Sequence, residues 1–88
     1  MKLKYNFVLQ EVGKDYFAVV SGEDTKKFSD LIKLNSVGKD IFELLKDETT
    51  IEKVIEGIKE KYEGSDEEIE SSVKEFVLDL KVKGLLND

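Results

Sequence analysis

Residues 49–68 read TTIEKVIEGIKEKYEGSDEE, and they divide the chain. Thr49-Thr50-Ile51-Glu52 has the spacing of a capping box, in which a hydroxyl and a carboxylate three residues apart satisfy free N–H groups at a helix start. Ile51, Val54, Ile55, Ile58 and Tyr62 then recur on one helical face. Gly64 supplies a residue able to take the left-handed conformation at which such a helix stops. Ser65-Asp66-Glu67-Glu68 opens a second box at once.

Downstream, this last helix runs to about Lys83, with Gly84 as its terminator. Acids crowd its first turn and Lys81 and Lys83 its last, as the helix dipole favours. Upstream, Asn35 or Ser36 caps an earlier helix that puts Val37, Ile41, Leu44 and Leu45 on one face. The first third of the chain has strand character. Tyr5–Val12 and Tyr16–Val20 are rich in aromatic and β-branched residues, and Gly13-Lys14-Asp15 between them is a hairpin turn. A polar loop, Ser21–Lys27, leads to a third run, Phe28–Leu34, with Phe28, Ile32 and Leu34 on one face and Leu31 and Lys33 on the other. The order β-β-β-α-α-α predicts an α+β fold. A three-stranded antiparallel sheet is followed by a three-helix bundle, the inventory of a winged helix-turn-helix, in one domain over residues 1–88.

Composition narrows the chemistry. A chain of 88 residues buries only about 60–65% of its unfolded surface, which leaves little core to support a deep cleft. With no cysteine and no histidine, the chain lacks disulfides, thiolate metal sites, the commonest general base and the orienting member of most triads. Its acids are spread over predicted helix surfaces, so no catalytic residue, metal site or cofactor is expected. No apolar run is long enough to span a membrane, and the N-terminus MKLKYNFVLQEV alternates rather than forming a signal-like stretch. The expected location is cytoplasmic, without membrane contact. The net charge of −6 divides as +1 over residues 1–35 (six Lys, five acids) and −7 over residues 36–88 (eight Lys, fifteen acids). All the basic residues are Lys. The absence of the arginine fork and the acids opening both candidate recognition helices weigh against a winged-helix DNA-binding regulator.

One face does not fit this simple scheme. In the last helix Ile69, Val73, Phe76 and Leu80 superimpose as the core stripe, with Val77 at its edge. Leu78 and Val82 fall about half a turn away, one above the other, among Ser71, Lys74, Lys81 and Leu85. Three readings stand: scattered surface apolar residues, the seam of a homodimeric scaffold, or a groove for a partner segment. The third strand, last in its meander, adds an unpaired edge that is a template for an added strand. Lys33 on that edge equally suits a residue placed to deter aggregation.

Leu34-Asn35-Ser36-Val37-Gly38-Lys39-Asp40-Ile41-Phe42-Glu43-Leu44-Leu45 resembles the L-N-x-x-G-x-x-I/V-W/F-x-L-L stretch of the coenzyme PQQ synthesis protein D family. The similarity continues through Thr50-Ile51-Glu52, Lys61-Tyr62, Phe76-Val77-Leu78-Asp79-Leu80 and Gly84-Leu85-Leu86. Each matched residue also has a structural use: Asn35 as a cap, Gly38 for close approach of its helix to the sheet, Phe42 as core volume and Gly84 for a positive φ. The resemblance implies a peptide chaperone, or RiPP recognition element. Such a protein binds the leader segment of a ribosomally made precursor peptide and presents it to a modifying enzyme, often a radical S-adenosylmethionine enzyme. It further implies that the leader adds as a strand beside the third β-strand and lies against the third helix. Here those elements are Asp30, Leu31, Ile32, Lys33 and Leu34, and Lys74, Leu78, Lys81 and Val82. A monomer or a weak homodimer is expected.

Overall fold

The computed structural model describes residues 1–26 and 31–87. Its elements run β1 (Lys2–Leu3), β2 (Phe7–Val12), β3 (Asp15–Val20), a 3-10 turn (Gly22–Lys26), β4 (Ile32–Leu34), α1 (Ser36–Leu44), α2 (Ile51–Lys61), α3 (Asp66–Val82) and β5 (Leu86–Asn87). The expected α+β architecture is present: β2, β3 and β4 form an antiparallel sheet in that order, followed by three helices.

The hairpin turns on two residues, Gly13 and Lys14. Gly13 takes φ +62°, which a two-residue hairpin with glycine first requires. The third run is shorter than its pattern suggests. Strand pairing covers Ile32–Leu34, while Lys27, Phe28, Ser29 and Asp30 lie outside the described residues.

Asn35, Thr50 and Ser65 cap the three helices, their side chains accepting the N–H groups of Gly38, Lys53 and Glu68. Each such cap contributes about 1 kcal/mol. Thr50 rather than Thr49 takes this role in α2, one residue later than the box spacing implies. That helix is closed by Tyr62 in an extended conformation; Gly64, at φ +151°, lies beyond it and is not left-handed α. At the end of α3, Leu85 N–H donates to the Leu80 carbonyl and Gly84 N–H to that of Lys81, with Gly84 at φ +76°. This paired closure folds Leu85 back onto Leu80. Leu85 is therefore fully buried, not a neighbour of the exposed Leu78–Val82 stripe.

A second, two-stranded sheet joins β1 to β5, with Lys2 opposite Asn87 and Leu3 opposite Leu86. Leu3 N–H also reaches the Leu45 carbonyl and Lys4 N–H that of Leu85, so the first residues fasten the ends of α1 and α3 together. The core lies between the inner face of the three-stranded sheet (Phe7, Ala18, Val20, Leu34) and the helices (Ile41, Phe42, Leu45, Val54, Ile58, Val73, Val77, Leu80). Phe42 is its centre, edge-on to Phe7 at 5.0 Å and to Phe76 at 6.3 Å. In α3 Val77 is a core residue, while Phe76 is half-buried at the margin, exchanging the roles their spacing suggests.

Candidate functional site: a free strand edge and two flanks of the last helix

Among the described residues β4 pairs only with β3, leaving its other edge open. The register shows which main-chain groups that edge presents. Val12 and Asp15 close the two-residue turn, so they form a bonded pair, and bonded pairs alternate along an antiparallel ladder. Gln10–Phe17 and Val8–Val19 follow, and then Asn6–Ser21, where the Ser21 N–H donates to the Asn6 carbonyl at 2.9 Å. Tyr16 and Ala18 therefore turn their polar groups toward β4, to partners Leu34 and Ile32. Lys33, between those two, directs its own N–H and C=O to the open edge.

Side chains on this strand alternate as expected. Leu34 is buried and Ile32 half-buried on the inner face; Leu31 (59% exposed) and Lys33 are on the outer one. Lys33 Nζ lies 3.7 Å from Asp15 Oδ1, so its charge is already partly answered within the sheet. Asp30 lies outside the described residues.

One flank of α3 packs near this strand through α1. A Cβ placed on Gly38 would come within 3.0 Å of the Phe76 ring and 3.5 Å of Leu34 Cδ2. The close approach that glycine permits is thus chiefly to α3, with Leu34 alongside, and the Phe76 flank is the one turned toward α1 and β4. The opposite flank belongs to α2, whose Lys59 pairs with Asp66 and Glu70 of α3 at 3.6 and 3.7 Å.

At 100° per residue Leu78 stands about 160° around the helix from Phe76. Leu78, Lys74 and Lys81 line a groove with Met1, Ile51 and Val77, and no β4 residue contributes to it. Val82 is 78% exposed and does not line this groove. Among the described residues, Lys74, Leu78 and Lys81 share that groove, and Leu31–Leu34 add no side chain to its lining. Helical periodicity tells which residues share a face; which neighbour that face meets is decided by packing. Phe76 is the α3 side chain that meets Gly38 next to Leu34, and its place in the core stripe was the only sequence signal for it.

A polar cluster that spacing could not show ties the helices together. The Tyr62 hydroxyl donates to Asp40 Oδ2 at 2.5 Å, and the ammonium groups of Lys39 and Lys61 each lie 3.6 Å from Asp40 Oδ1. Lys39 also sits over the Tyr16 ring, 4.9 Å from its centroid. Burial raises the Asp40 carboxyl pKa, but the Tyr62 hydrogen bond and the two lysines outweigh it and hold the group below the usual aspartate value. Accepted by Asp40 and partly desolvated, the Tyr62 phenol is pushed up to about 12. The cluster fixes the end of α2 against α1, and through Lys39 against β3. Among the described residues no group of His, Cys, Asp and Glu side chains is placed to hold a metal ion, and no helix is long and apolar enough to cross a membrane.

Comparison with known proteins places this architecture. The family model described as coenzyme PQQ synthesis protein D (PqqD) matches residues 8–86. No curated protein matches the chain. Among solved structures, it is similar to TbiB1 in complex with the TbiA(beta) leader peptide: TM-score 0.75 and 21% identity, over 99% of this chain and 95% of that one. At that identity the likeness is one of fold.

Proposed function

The chain belongs to the coenzyme PQQ synthesis protein D (PqqD) family, and from that premise we propose that it binds the leader segment of a ribosomally synthesised precursor peptide. It does so without catalysing a reaction, and presents the peptide to a modifying enzyme of the radical S-adenosylmethionine class. The observation that carries this reading is the open edge of β4, with the Lys33 N–H and C=O turned outward and half-buried Ile32 and Phe76 nearby. An extended peptide added there would take its register from main-chain bonds. Its inward-pointing side chains would be received by Ile32, Leu34 and Phe76, and its outward ones by Leu31 and Lys33. Family membership, and the fold shared with a protein solved with a leader peptide, favour that occupant over a strand of a second copy.

The test is a titration of the labelled leader segment of a short precursor encoded near the protein's gene, against a scrambled peptide of the same composition. Saturable binding of the leader alone, with the enzyme modifying the precursor faster when the protein is present, is the expected result. Equal affinity for both peptides contradicts the proposal.

A further inference from the structure

A sheet covered on one side alternates apolar residues inward with polar residues outward. The outer face of the β2-β3-β4 sheet departs from that rule. Phe7, Ala18 and Val20 point inward and are buried, so Val8, Val12, Phe17 and Val19 point out. Val8 is 46% and Val12 63% exposed, while Phe17 and Val19 are half-buried. Val8 is directly opposite Val19, and Phe17 opposite Lys33. Leu31, also exposed, adds an apolar side chain where β4 begins. The charged residues among the outward strand positions are Asp15 and Lys33, which pair with each other at 3.7 Å. The face is therefore neutral and mostly apolar on a chain whose net charge is −6.

We infer that this face docks an apolar, uncharged surface of the modifying enzyme, so that the enzyme meets sheet and bound peptide together. The inference rests on strand addition at β4 and names the surface through which the peptide is presented. Continuity carries it. Leu31 and Lys33 belong to the outer face and also border the open edge. A strand added there widens the face by about 4.8 Å, and every second peptide side chain points out from it. The inner side of the sheet is closed by the helices, so an enzyme reaching the held strand comes from the outer side and meets Phe17, Val19 and Val8 beside it. With its one ion pair internal, the face offers apolar contact and no free charge, which makes a strongly charged surface the poorer match. A second copy of this chain also fits poorly. In a two-fold pair each copy meets the same patch of the other, so the contact cannot exceed the patch. Three strands, the longest of six residues, make a face of at most roughly 15 by 20 Å, about 300 Å² in projection. A stable interface buries roughly 800 Å² per partner. An enzyme has no such bound, because the peptide adds to what it touches. Sharing one enzyme surface couples the two bindings: the enzyme raises leader affinity by the same factor as the leader raises the enzyme's.

Fluorescence anisotropy of the labelled leader, with and without the modifying enzyme, tests the inference, with leader plus enzyme as the blank. For the parent protein the enzyme should raise leader affinity at least about tenfold, within the usual range of such couplings. Val8→Lys/Val12→Lys alters two exposed side chains of β2, two strands from the open edge. This variant should melt within a few degrees of the parent, bind leader alone within about twofold, and lose the enzyme's enhancement. If it unfolds, Val8→Thr/Val12→Thr keeps the branched shape that strands favour and should cut the enhancement at least about threefold. Full enhancement in a folded variant would overturn the inference, as would loss of leader binding by that variant without enzyme. A parent that binds leader but gains nothing from the enzyme overturns it too, and leaves strand addition standing. A parent that does not bind leader refutes strand addition itself, and the inference falls with it. Sedimentation as a dimer that Val8→Lys/Val12→Lys dissociates would also overturn it, because a second copy would then cover the face.

Discussion

Replacing Lys33 by proline separates the main chain of β4 from its side chain. The register gives the Lys33 N–H to the open edge, so its removal breaks no bond to β3, and proline is tolerated on an edge strand under that condition. The variant should fold, with a melting temperature lower by only a few degrees from the tighter φ. A peptide added beside β4 would lose one N–H···O bond. Such a bond contributes about 0.5–1.5 kcal/mol net, with the higher end reached when the orphaned carbonyl cannot rehydrate. The expected loss in affinity is about two- to tenfold. Lys33→Ala controls for charge. Its ion pair with Asp15 is exposed and worth at most about 1 kcal/mol, so this variant should bind within about threefold of the parent. Fluorescence anisotropy with the labelled leader gives both numbers, and circular dichroism checks the fold. If folded Lys33→Pro and Lys33→Ala bind alike, the outward N–H is not used and strand addition at this edge is refuted.

Other consequences concern the scaffold. Tyr62→Phe leaves Asp40 without its hydroxyl donor and should cost about 1–3 kcal/mol in urea unfolding. The phenol pKa is raised from 10.0 when unfolded to about 12 when folded, so its contribution is fully present below pH 10 and lost as pH rises toward 12. The parent should therefore lose stability over that interval more steeply than Tyr62→Phe, and parallel curves would contradict the assignment. Asp40, lowered in the fold, contributes stability above its unfolded value of 3.8 that is lost as pH falls through its folded pKa; Asp40→Asn should flatten the acid limb of the same curve. Gly38→Val drives a branched side chain toward the Phe76 ring and should cost about 1–3 kcal/mol by overpacking, read as a lower denaturation midpoint. Asn35→Ala removes the cap of α1 and should cost about 0.5–2 kcal/mol in the same assay.

Local signals carried the helical half of the fold. Asn35 and Ser65 are caps that a sequence displays directly, and Ile58, Val73 and Leu80 recur at the helical period because each buries one face. The β1–β5 pair was hidden because two-residue strands have no period, and what joins Leu3 to Leu86 is proximity of the chain ends in space. Asp40 and Tyr62 were unremarkable at 22 residues apart, since only the crossing of α1 and α2 brings a carboxylate to a phenol. The candidate site was half legible. Leu78 and Val82 are exposed, as their angular position on the helix implies, and β4 has its open edge. Which neighbours Leu78 meets depends on how α3 is rolled against α1 and α2. That roll is fixed by Phe76 reaching Gly38 and by Lys59 reaching Glu70, contacts with no local signature.

Hydrogen exchange at three consecutive amides tests strand addition most directly. The Ile32 and Leu34 N–H groups are already engaged with β3, whereas that of Lys33 faces the open edge. On saturation with the leader peptide, Lys33 should pass from fast exchange to strong protection while its two neighbours change little. A Lys33 amide that still exchanges freely in the saturated complex would contradict binding at this edge.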